Sequence, residues 1–184
     1  MRITGGSLRG RRLFSPKNRS LRPTSDKVRE ALFNILGERI ENSRFLDAFS
    51  GTGAVGLEAL SRGAKKAVLV EQSTRAIALI RKNAQSIELS PQIIPGDFFK
   101  IAERLFRKKA RFDIIFIDPP YMDENQVDVL KRVATGGLLN EYGVAVVEYS
   151  RKLDMPKEVK GLIQFDERKY GDTKLSFYQR HEEN

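Results

Sequence analysis

Two short motifs in this 184-residue chain carry residue types suited to chemistry on an amino group. Asp118-Pro119-Pro120-Tyr121 follows the apolar run 112–117, which has the length and β-branched content of a buried parallel strand. Ligands sit beyond the carboxyl ends of strands in an open α/β sheet, so we expect this box at a ligand-binding edge. A carboxylate, a backbone carbonyl and an aromatic ring there would hold a flat, amino-bearing base by two acceptors and a stacking face. The alternative is a strand-ending turn with a packed tyrosine.

The second motif is a glycine loop that begins with an acid. Gly51, Gly53 and Gly56 satisfy G-x-G-x-x-G, and Glu71 ends the following strand, which is the pattern of a dinucleotide site. A pyrophosphate at this loop would lie near Asp47, and like charges there are costly. S-adenosylmethionine has an α-ammonium, a sulfonium and a ribose diol but no phosphate. The loop therefore favours S-adenosylmethionine over NAD, with Asp47 near the cationic end and Glu71 on the ribose; a ligand-free turn is the third interpretation.

Asp97 and Phe98 follow the third predicted strand. Asp97 is expected to cap the helix that begins at Phe98. The same pair is expected to contact an adenine, Asp97 by accepting a hydrogen bond from its amino group and Phe98 by packing on its face.

Composition excludes several classes of enzyme. There is no cysteine, and the one histidine, His181, lies in a polar tail, so Ser-His-Asp triads and the usual zinc sites are excluded. No metal site is expected. No signal peptide is apparent, and no apolar run approaches the roughly 20 residues that cross a bilayer. We expect a cytoplasmic protein that does not bind membranes.

The charge of +9 is concentrated near the N-terminus. Residues 1–30 hold nine basic side chains against two acids, a footprint of polyphosphate binding that favours nucleic acid over a merely solvated basic face. The residues predicted to contact phosphates are Arg9, Arg11, Arg12, Lys17 and Arg22. Residues 1–22 are predicted to form a basic hairpin or arm, anchored by Ile3 and Leu13-Phe14.

Alternating strands and helices are expected to position these motifs. A helix is predicted over 25–37, with Thr24 or Ser25 as its cap. The predicted strands cover 45–49, 67–71, 92–95, 112–118 and 143–149, and the predicted helices cover 54–62, 73–87, 98–109 and 124–135. This alternation predicts a mostly parallel sheet with helices on both faces. Residues 162–170 and 173–180, joined by Gly171-Asp172, predict a terminal antiparallel hairpin. The chain is predicted to be one domain, 1–184, with its core over 23–184.

With these motifs, the chain resembles class I S-adenosylmethionine-dependent methyltransferases, and more narrowly the RsmD type of 16S rRNA (guanine-N2) methyltransferase. The resemblance spans nearly the whole chain and is carried by 2–6 with 9–13, 22–34, 47–56, 56–62 and 118–121. The glycine loop and the Asp-Pro-Pro-Tyr box are widely shared, whereas the basic opening and the Arg22-Pro23-Thr24 helix start decide the subfamily.

The resemblance implies a three-layer, Rossmann-like sheet of seven strands whose last strand is antiparallel. It implies cofactor roles for Asp47, Gly51, Gly53, Glu71 and Asp97. It also implies target-amine roles for Asp118, Pro119 and Tyr121, and it places Arg22 and Thr24 near cofactor and RNA. The implied partner is 16S rRNA in the small ribosomal subunit or its precursor, with S-adenosylhomocysteine as product. The resemblance does not determine the oligomeric state, and we expect a monomer.

On this interpretation Asp118 and the Pro119 carbonyl each accept one N–H of the guanine amine, and Tyr121 stacks on the flipped base. The nearest alternative is an N6-adenine methyltransferase acting on DNA or RNA. A protein-glutamine methyltransferase usually has Asn first in this box, so Asp118 disfavours it. An NAD-dependent oxidoreductase and a non-catalytic RNA-binding or assembly factor with the same fold are the alternatives from other classes.

Overall fold

The computed structural model describes residues 1–15, 24–120 and 125–180. The chain divides into two compact units, Met1–Phe98 and Phe99–Asn184. None of the helices within these described ranges is long and apolar enough to cross a membrane.

The N-terminal unit is built on three parallel strands, with β2 in the middle. Its elements are α1 (Asp26–Leu36), a 3-10 turn (Gly37–Ile40), β1 (Arg44–Asp47), α2 (Ala54–Ser61), β2 (Lys66–Glu71), α3 (Thr74–Ser86) and β3 (Gln92–Pro95). Four consecutive β2 residues are buried, as parallel strands covered on both faces require. Because the three strands are parallel, their carboxyl ends lie at one edge of this sheet, which carries Asp47 and Glu71.

Serine side chains start two of these helices. The Ser25 hydroxyl accepts a hydrogen bond from the Val28 N–H at 3.2 Å, and the Ser73 hydroxyl accepts one from the Ala76 N–H at 3.3 Å. Each bond satisfies an amide that the first helical turn leaves without a partner. Of the two predicted caps of α1, Ser25 is therefore the one that the structure confirms.

Residues 1–13 form a short antiparallel hairpin. The Ile3 N–H donates to the Arg11 carbonyl at 2.9 Å, and the Leu13 N–H donates to the Met1 carbonyl at 3.0 Å. Ile3 and Leu13 are buried against Leu57 and Ile87, so these two predicted anchors are confirmed. The prediction for Phe14 is wrong, because its ring is 44% exposed.

The C-terminal unit combines one parallel and several antiparallel pairings. The elements that follow β3 are α4 (Phe98–Arg107), β4 (Phe112–Ile117), α5 (Asn125–Thr135), β5 (Leu139–Ser150), β6 (Glu158–Val159), β7 (Leu162–Tyr170) and β8 (Thr173–Arg180). Within this unit the strand order is β4-β5-β8-β7-β6. β4 and β5 are parallel, whereas β8 is antiparallel to both β5 and β7. The predicted hairpin around Gly171 is confirmed, with Gly171 at a φ of 60°.

Most predicted boundaries differ from the observed ones by one or two residues; the larger differences are the start of β5 and an additional short strand. β5 begins at Leu139, four residues before the predicted start. The early part of β5 already pairs with β4, but the register shifts between Phe112 and Ile114 of β4. Gly143 allows this close approach, since a Cβ there would lie 2.8 Å from the Leu139 side chain. The two-residue strand β6 brings the described strands to eight, one more than the seven implied by the resemblance.

Candidate functional site

The glycine loop runs from the end of β1 to the start of α2. Gly51 and Gly53 have φ of 51° and 78°, a left-handed conformation that favours glycine. Gly56 serves packing instead, because a Cβ there would lie 2.6 Å from the Leu69 side chain and would push α2 away from β2. A Cβ on Gly51 would meet nothing within 4 Å. The loop backbone at Gly51 is therefore open to a ligand.

Asp47 is buried at the base of this loop. Its Oδ2 accepts a hydrogen bond from the Gly56 N–H at 3.2 Å, while its buried Oδ1 has no hydrogen-bond partner among the described residues. Burial raises the pKa of Asp47 from its ordinary value of 3.8 to about 7. The hydrogen bond from Gly56 lowers this pKa, and the negative charge of Glu71 raises it further. An incoming cation would stabilise the Asp47 carboxylate.

Glu71, at the end of β2, is hydrogen-bonded to the backbone of the glycine loop. Its Oε2 accepts a hydrogen bond from the Gly51 N–H and its Oε1 accepts one from the Ser73 N–H, both at 2.8 Å. The sequence did not predict this loop contact. The ribose role of Glu71 stays a prediction, and a carboxylate has lone pairs left for it.

These residues fit S-adenosylmethionine on chemical grounds. The buried Asp47 oxygen without a partner suits a cationic ligand, and the open backbone at Gly51 gives that ligand access. Two acidic side chains beside the loop would repel a pyrophosphate.

Asp97 and Phe98 follow β3 in the same unit. Phe98 is 2% exposed, and its ring centroid lies 5.2 Å from that of Phe49. The Phe98 ring is therefore already packed on one neighbour. The adenine contacts of Asp97 and Phe98 stay predictions.

Asn83 joins the glycine loop to the N-terminal hairpin. Its Nδ2 donates to the Thr52 carbonyl at 3.0 Å and to the Phe14 carbonyl at 3.2 Å, and its Oδ1 accepts from the Phe14 N–H at 2.7 Å. Asn83 is fully buried. Sequence reasoning missed it, although a polar residue beside Ile80 and Ala84 on the apolar face of α3 was the available signal.

A buried ion pair holds the hairpin, α1 and α2 together. Arg29 Nε lies 2.6 Å from Glu58 Oε2, and both side chains are fully buried. Arg29 also donates to the Thr24 carbonyl at 3.1 Å and to the Arg2 carbonyl. Thr4 and Arg62 donate to the same Glu58 carboxylate. The sequence pointed only weakly to this pair, since Arg29 precedes the buried Leu32 and Phe33 by helical spacing.

Of the five residues predicted to bind RNA phosphates, three lie in the described hairpin. Arg9, Arg11 and Arg12 are all exposed there, and Arg11 also donates to the Ser86 carbonyl at 3.3 Å. Beside them the Lys82 ammonium lies 3.7 Å from the centroid of the Phe14 ring, a cation–π contact. Lys17 and Arg22 lie outside the described residues. Thr24 is buried, and its carbonyl accepts the Arg29 bond described above.

The Asp118-Pro119-Pro120-Tyr121 motif, which is predicted to hold the target amino group, belongs to the C-terminal unit and follows β4. Asp118 is half-buried, Pro119 is buried and Pro120 is exposed. Tyr121 lies outside the described residues. Asp118 therefore stands at the carboxyl end of a strand that pairs in parallel with β5, as the sequence predicted. The described ranges contain no group of three or more His, Cys, Asp or Glu side chains placed to hold a metal ion.

Comparison with known proteins identifies the family. Residues 1–179 match the family model described as "Conserved hypothetical protein 95". The chain is 33% identical to the Putative rRNA methyltransferase YlbH of Bacillus subtilis, over 98% of this chain and 99% of the relative. It is 32% identical to the Ribosomal RNA small subunit methyltransferase D of Escherichia coli K12, over 98% of this chain and 90% of the relative.

A solved structure shows the same fold. The putative methyltransferase yhhF from Escherichia coli matches with a TM-score of 0.85 at 31% identity, over 100% of this chain and 99% of that one. The predicted fold class, a Rossmann-like methyltransferase sheet, is thereby confirmed. The chain belongs to the RsmD family of class I, S-adenosylmethionine-dependent methyltransferases.

Proposed function

We propose that this protein transfers a methyl group from S-adenosylmethionine to the exocyclic N2 amine of a guanine in 16S rRNA. The observation that carries the proposal is Asp118, held with Pro119-Pro120 at the carboxyl end of β4. The Escherichia coli relative is named as a methyltransferase of the small ribosomal subunit RNA, and the Bacillus subtilis relative is named "Putative rRNA methyltransferase". The substrate in this proposal is the small subunit or its precursor, and the reaction takes place in the cytoplasm.

The N-terminal unit would hold the cofactor. When bound, S-adenosylmethionine supplies an activated methyl group on a sulfonium. Asp47 would offset the positive charge of the cofactor, the Gly51–Gly53 backbone would approach it closely, and Glu71 would accept hydrogen bonds from ribose hydroxyls. Asp97 and Phe98 would hold the adenine, and Thr24 would lie near the cofactor.

The C-terminal unit would hold the target amine. A guanine amine is a poor nucleophile because its lone pair is delocalised into the ring. Asp118 and the Pro119 carbonyl would each accept one N–H, which pulls the nitrogen toward pyramidal geometry and orients its lone pair. Asp118 would also stabilise the positive charge that develops on that nitrogen as the methyl–sulfur bond breaks and S-adenosylhomocysteine leaves, and the surplus N–H proton would then pass to Asp118 or to water. Tyr121 would stack on the base once it has left its own stack.

The exposed hairpin would bind the RNA backbone. Arg9, Arg11, Arg12, Lys17 and Arg22 would contact phosphates, which gives affinity without reading sequence. On this proposal both units act together as one methyltransferase domain, in a monomer.

Methyl transfer to RNA tests the proposal directly. Wild-type protein, labelled cofactor and small subunits or naked 16S rRNA are incubated, and the RNA is digested to nucleosides. We expect label in N2-methylguanosine; label in N6-methyladenosine identifies an adenine enzyme, and no label in any RNA contradicts the proposal. Asp118→Asn should abolish transfer and leave cofactor binding intact. The matched control is Asp128→Asn, which changes an exposed carboxylate on α5 and should keep full activity.

A further inference from the structure

A cleft of about 360 Å³ lies between the N-terminal hairpin and the first turns of α1. Its walls include Arg2 and Arg9 from the hairpin, and Asp26, Lys27 and Glu30 from α1. This volume is at the small end of ligand pockets, which suits a single nucleotide.

The charged groups of the cleft divide into paired and unpaired ones. Asp26 is engaged by Arg29 at 2.9 Å and by Arg2 at 3.8 Å. By contrast, the side chains of Arg9, Lys27 and Glu30 make no hydrogen bond or ion pair within the described part of the chain. Two cations and one carboxylate in the cleft are thus available to a ligand.

These three groups match the chemistry of one ribonucleotide. Arg9 and Lys27 suit a phosphate, which needs donors and positive charge. Glu30 accepts hydrogen bonds only, so it suits a base edge that presents an amino group, as cytosine, adenine and guanine do. Uracil has no amino group; its one edge donor, the N3–H, is flanked by two carbonyl oxygens whose partial negative charges would face the carboxylate.

We infer that the cleft binds one nucleotide of the RNA strand, outside the methylated position, and that Glu30 selects an amino-bearing base there. The inference rests on the proposed function, because it assigns part of the same RNA substrate. The cleft is built from a rigid framework: Ile3 beneath it is fully buried, and Arg29 ties the hairpin strand to α1 through the Arg2 carbonyl. A nucleotide in this cleft would set the register in which the RNA strand lies on the hairpin.

Binding of two short RNAs tests the inference. Fluorescently labelled oligocytidine and oligouridine pentamers share the same backbone and differ only at the base edge, where cytosine has an amino group and an N3 acceptor and uracil has a carbonyl and an N3–H. We expect wild-type protein to bind oligocytidine about tenfold more tightly, the lower range of what one good base contact provides. Glu30→Gln should remove this preference, since an amide can both donate and accept. Glu38→Gln, which removes the same charge outside the cleft lining, should keep it.

The phosphate contacts have a separate signature. The double variant Arg9→Ala/Lys27→Ala should weaken binding of both pentamers equally and lower the slope of log affinity against log salt by about 0.7, the contribution of one phosphate on single-stranded RNA. An unchanged slope and affinity in this variant, or an unchanged base preference in Glu30→Gln, overturns the inference. Methyl transfer measured in parallel separates the two proposals. Transfer to rRNA without any effect of these variants rejects the cleft alone, whereas a base preference without transfer rejects the proposed enzyme alone.

Discussion

Asp47 is a carboxylate that burial destabilises and that a cationic ligand would stabilise. The carboxylate is buried below the glycine loop, and one of its oxygens has no partner among the described residues. A buried carboxylate without a compensating charge is costly, and the raised pKa of Asp47 expresses that cost. The protein retains this unfavourable group where a cationic ligand would offset it.

The stability of the ligand-free protein should therefore fall as pH rises. With a pKa of about 7 in the folded state and 3.8 in the unfolded one, Asp47 holds more protons when folded between these values. The contribution of protonated Asp47 to the free energy of unfolding is complete below about pH 4. It is lost as pH rises through about 7, and the total loss is up to about 4 kcal/mol. Urea unfolding at pH 5 and pH 8 measures the part of this loss that falls between them, about 3 kcal/mol.

Asp47→Asn should flatten that pH dependence, because the amide does not ionise. The variant should also bind S-adenosylmethionine more weakly at pH 8, where the wild-type carboxylate is charged. Asp128→Asn should keep the wild-type profile, since Asp128 is exposed. Parallel stability profiles for wild type and Asp47→Asn would contradict the assignment of this pH dependence to Asp47.

At the scale of elements, the hairpin and the glycine loop share one support on α3. Asn83 uses its carbonyl oxygen and both amide hydrogens to hold the Phe14 backbone and the Thr52 carbonyl. Such a fully satisfied buried amide fixes the two segments relative to α3. A change in the hairpin would therefore reach the loop through this side chain.

Asn83→Ala should reduce both stability and cofactor binding. Removing the amide leaves buried backbone groups without partners, which costs about 1–3 kcal/mol in the free energy of unfolding. We also expect several-fold weaker binding of S-adenosylhomocysteine, since Thr52 lies between Gly51 and Gly53. Thermal unfolding and calorimetric titration measure the two effects. Gln85→Ala, an exposed position on the same helix, should change neither, and normal cofactor affinity in Asn83→Ala would refute a role in positioning the loop.

The Arg29–Glu58 pair joins α1 and α2 in a way that predicts strong coupling. Removing one partner takes the closest counter-charge from a fully buried group and leaves only Arg62 beside Glu58, or Asp26 beside Arg29. Arg29→Met or Glu58→Gln alone should therefore cost up to about 3–5 kcal/mol. The double variant should cost clearly less than the sum of both, because neither charge then remains. Urea unfolding of all four proteins completes the cycle.

The exposed pair Arg107–Glu103 provides the comparison, with the same residue types at 73% and 48% side-chain exposure. Single changes there should cost at most about 1 kcal/mol. If the Arg29 and Glu58 effects were simply additive, the buried pair would not act as a unit.

At the scale of the whole molecule, the parts predicted from sequence are those set by local pattern. The apolar run 112–117, the glycine spacing at 51–56 and the turn at Gly171 each determine their structure within a few residues. Arg29 and Asn83 escaped prediction because their burial depends on partners far along the chain, Glu58 for the first and Thr52 and Phe14 for the second. The position of Phe14 escaped for the same reason, since its partly exposed ring contacts Lys82 on α3 instead of entering the core. The two-residue strand β6 is too short to show a periodicity.

Because the molecule is strongly basic, the salt dependence of binding should differ between its two proposed ligands, RNA and the cofactor. With a charge of +9 concentrated near the N-terminus, RNA binding should release counterions and weaken steeply with salt. S-adenosylhomocysteine carries no phosphate, so its affinity should change little between 50 and 200 mM salt.

For single-stranded RNA each phosphate contact contributes about 0.7 to the slope of log affinity against log salt. Replacing Arg11 and Arg12 by Gln should therefore lower the slope by about 1.4 and leave cofactor binding unchanged. Arg151→Gln, which removes an exposed cation from the C-terminal unit, should leave the slope unchanged. A slope that falls equally in both variants would mean that the RNA responds to overall charge and does not contact the hairpin.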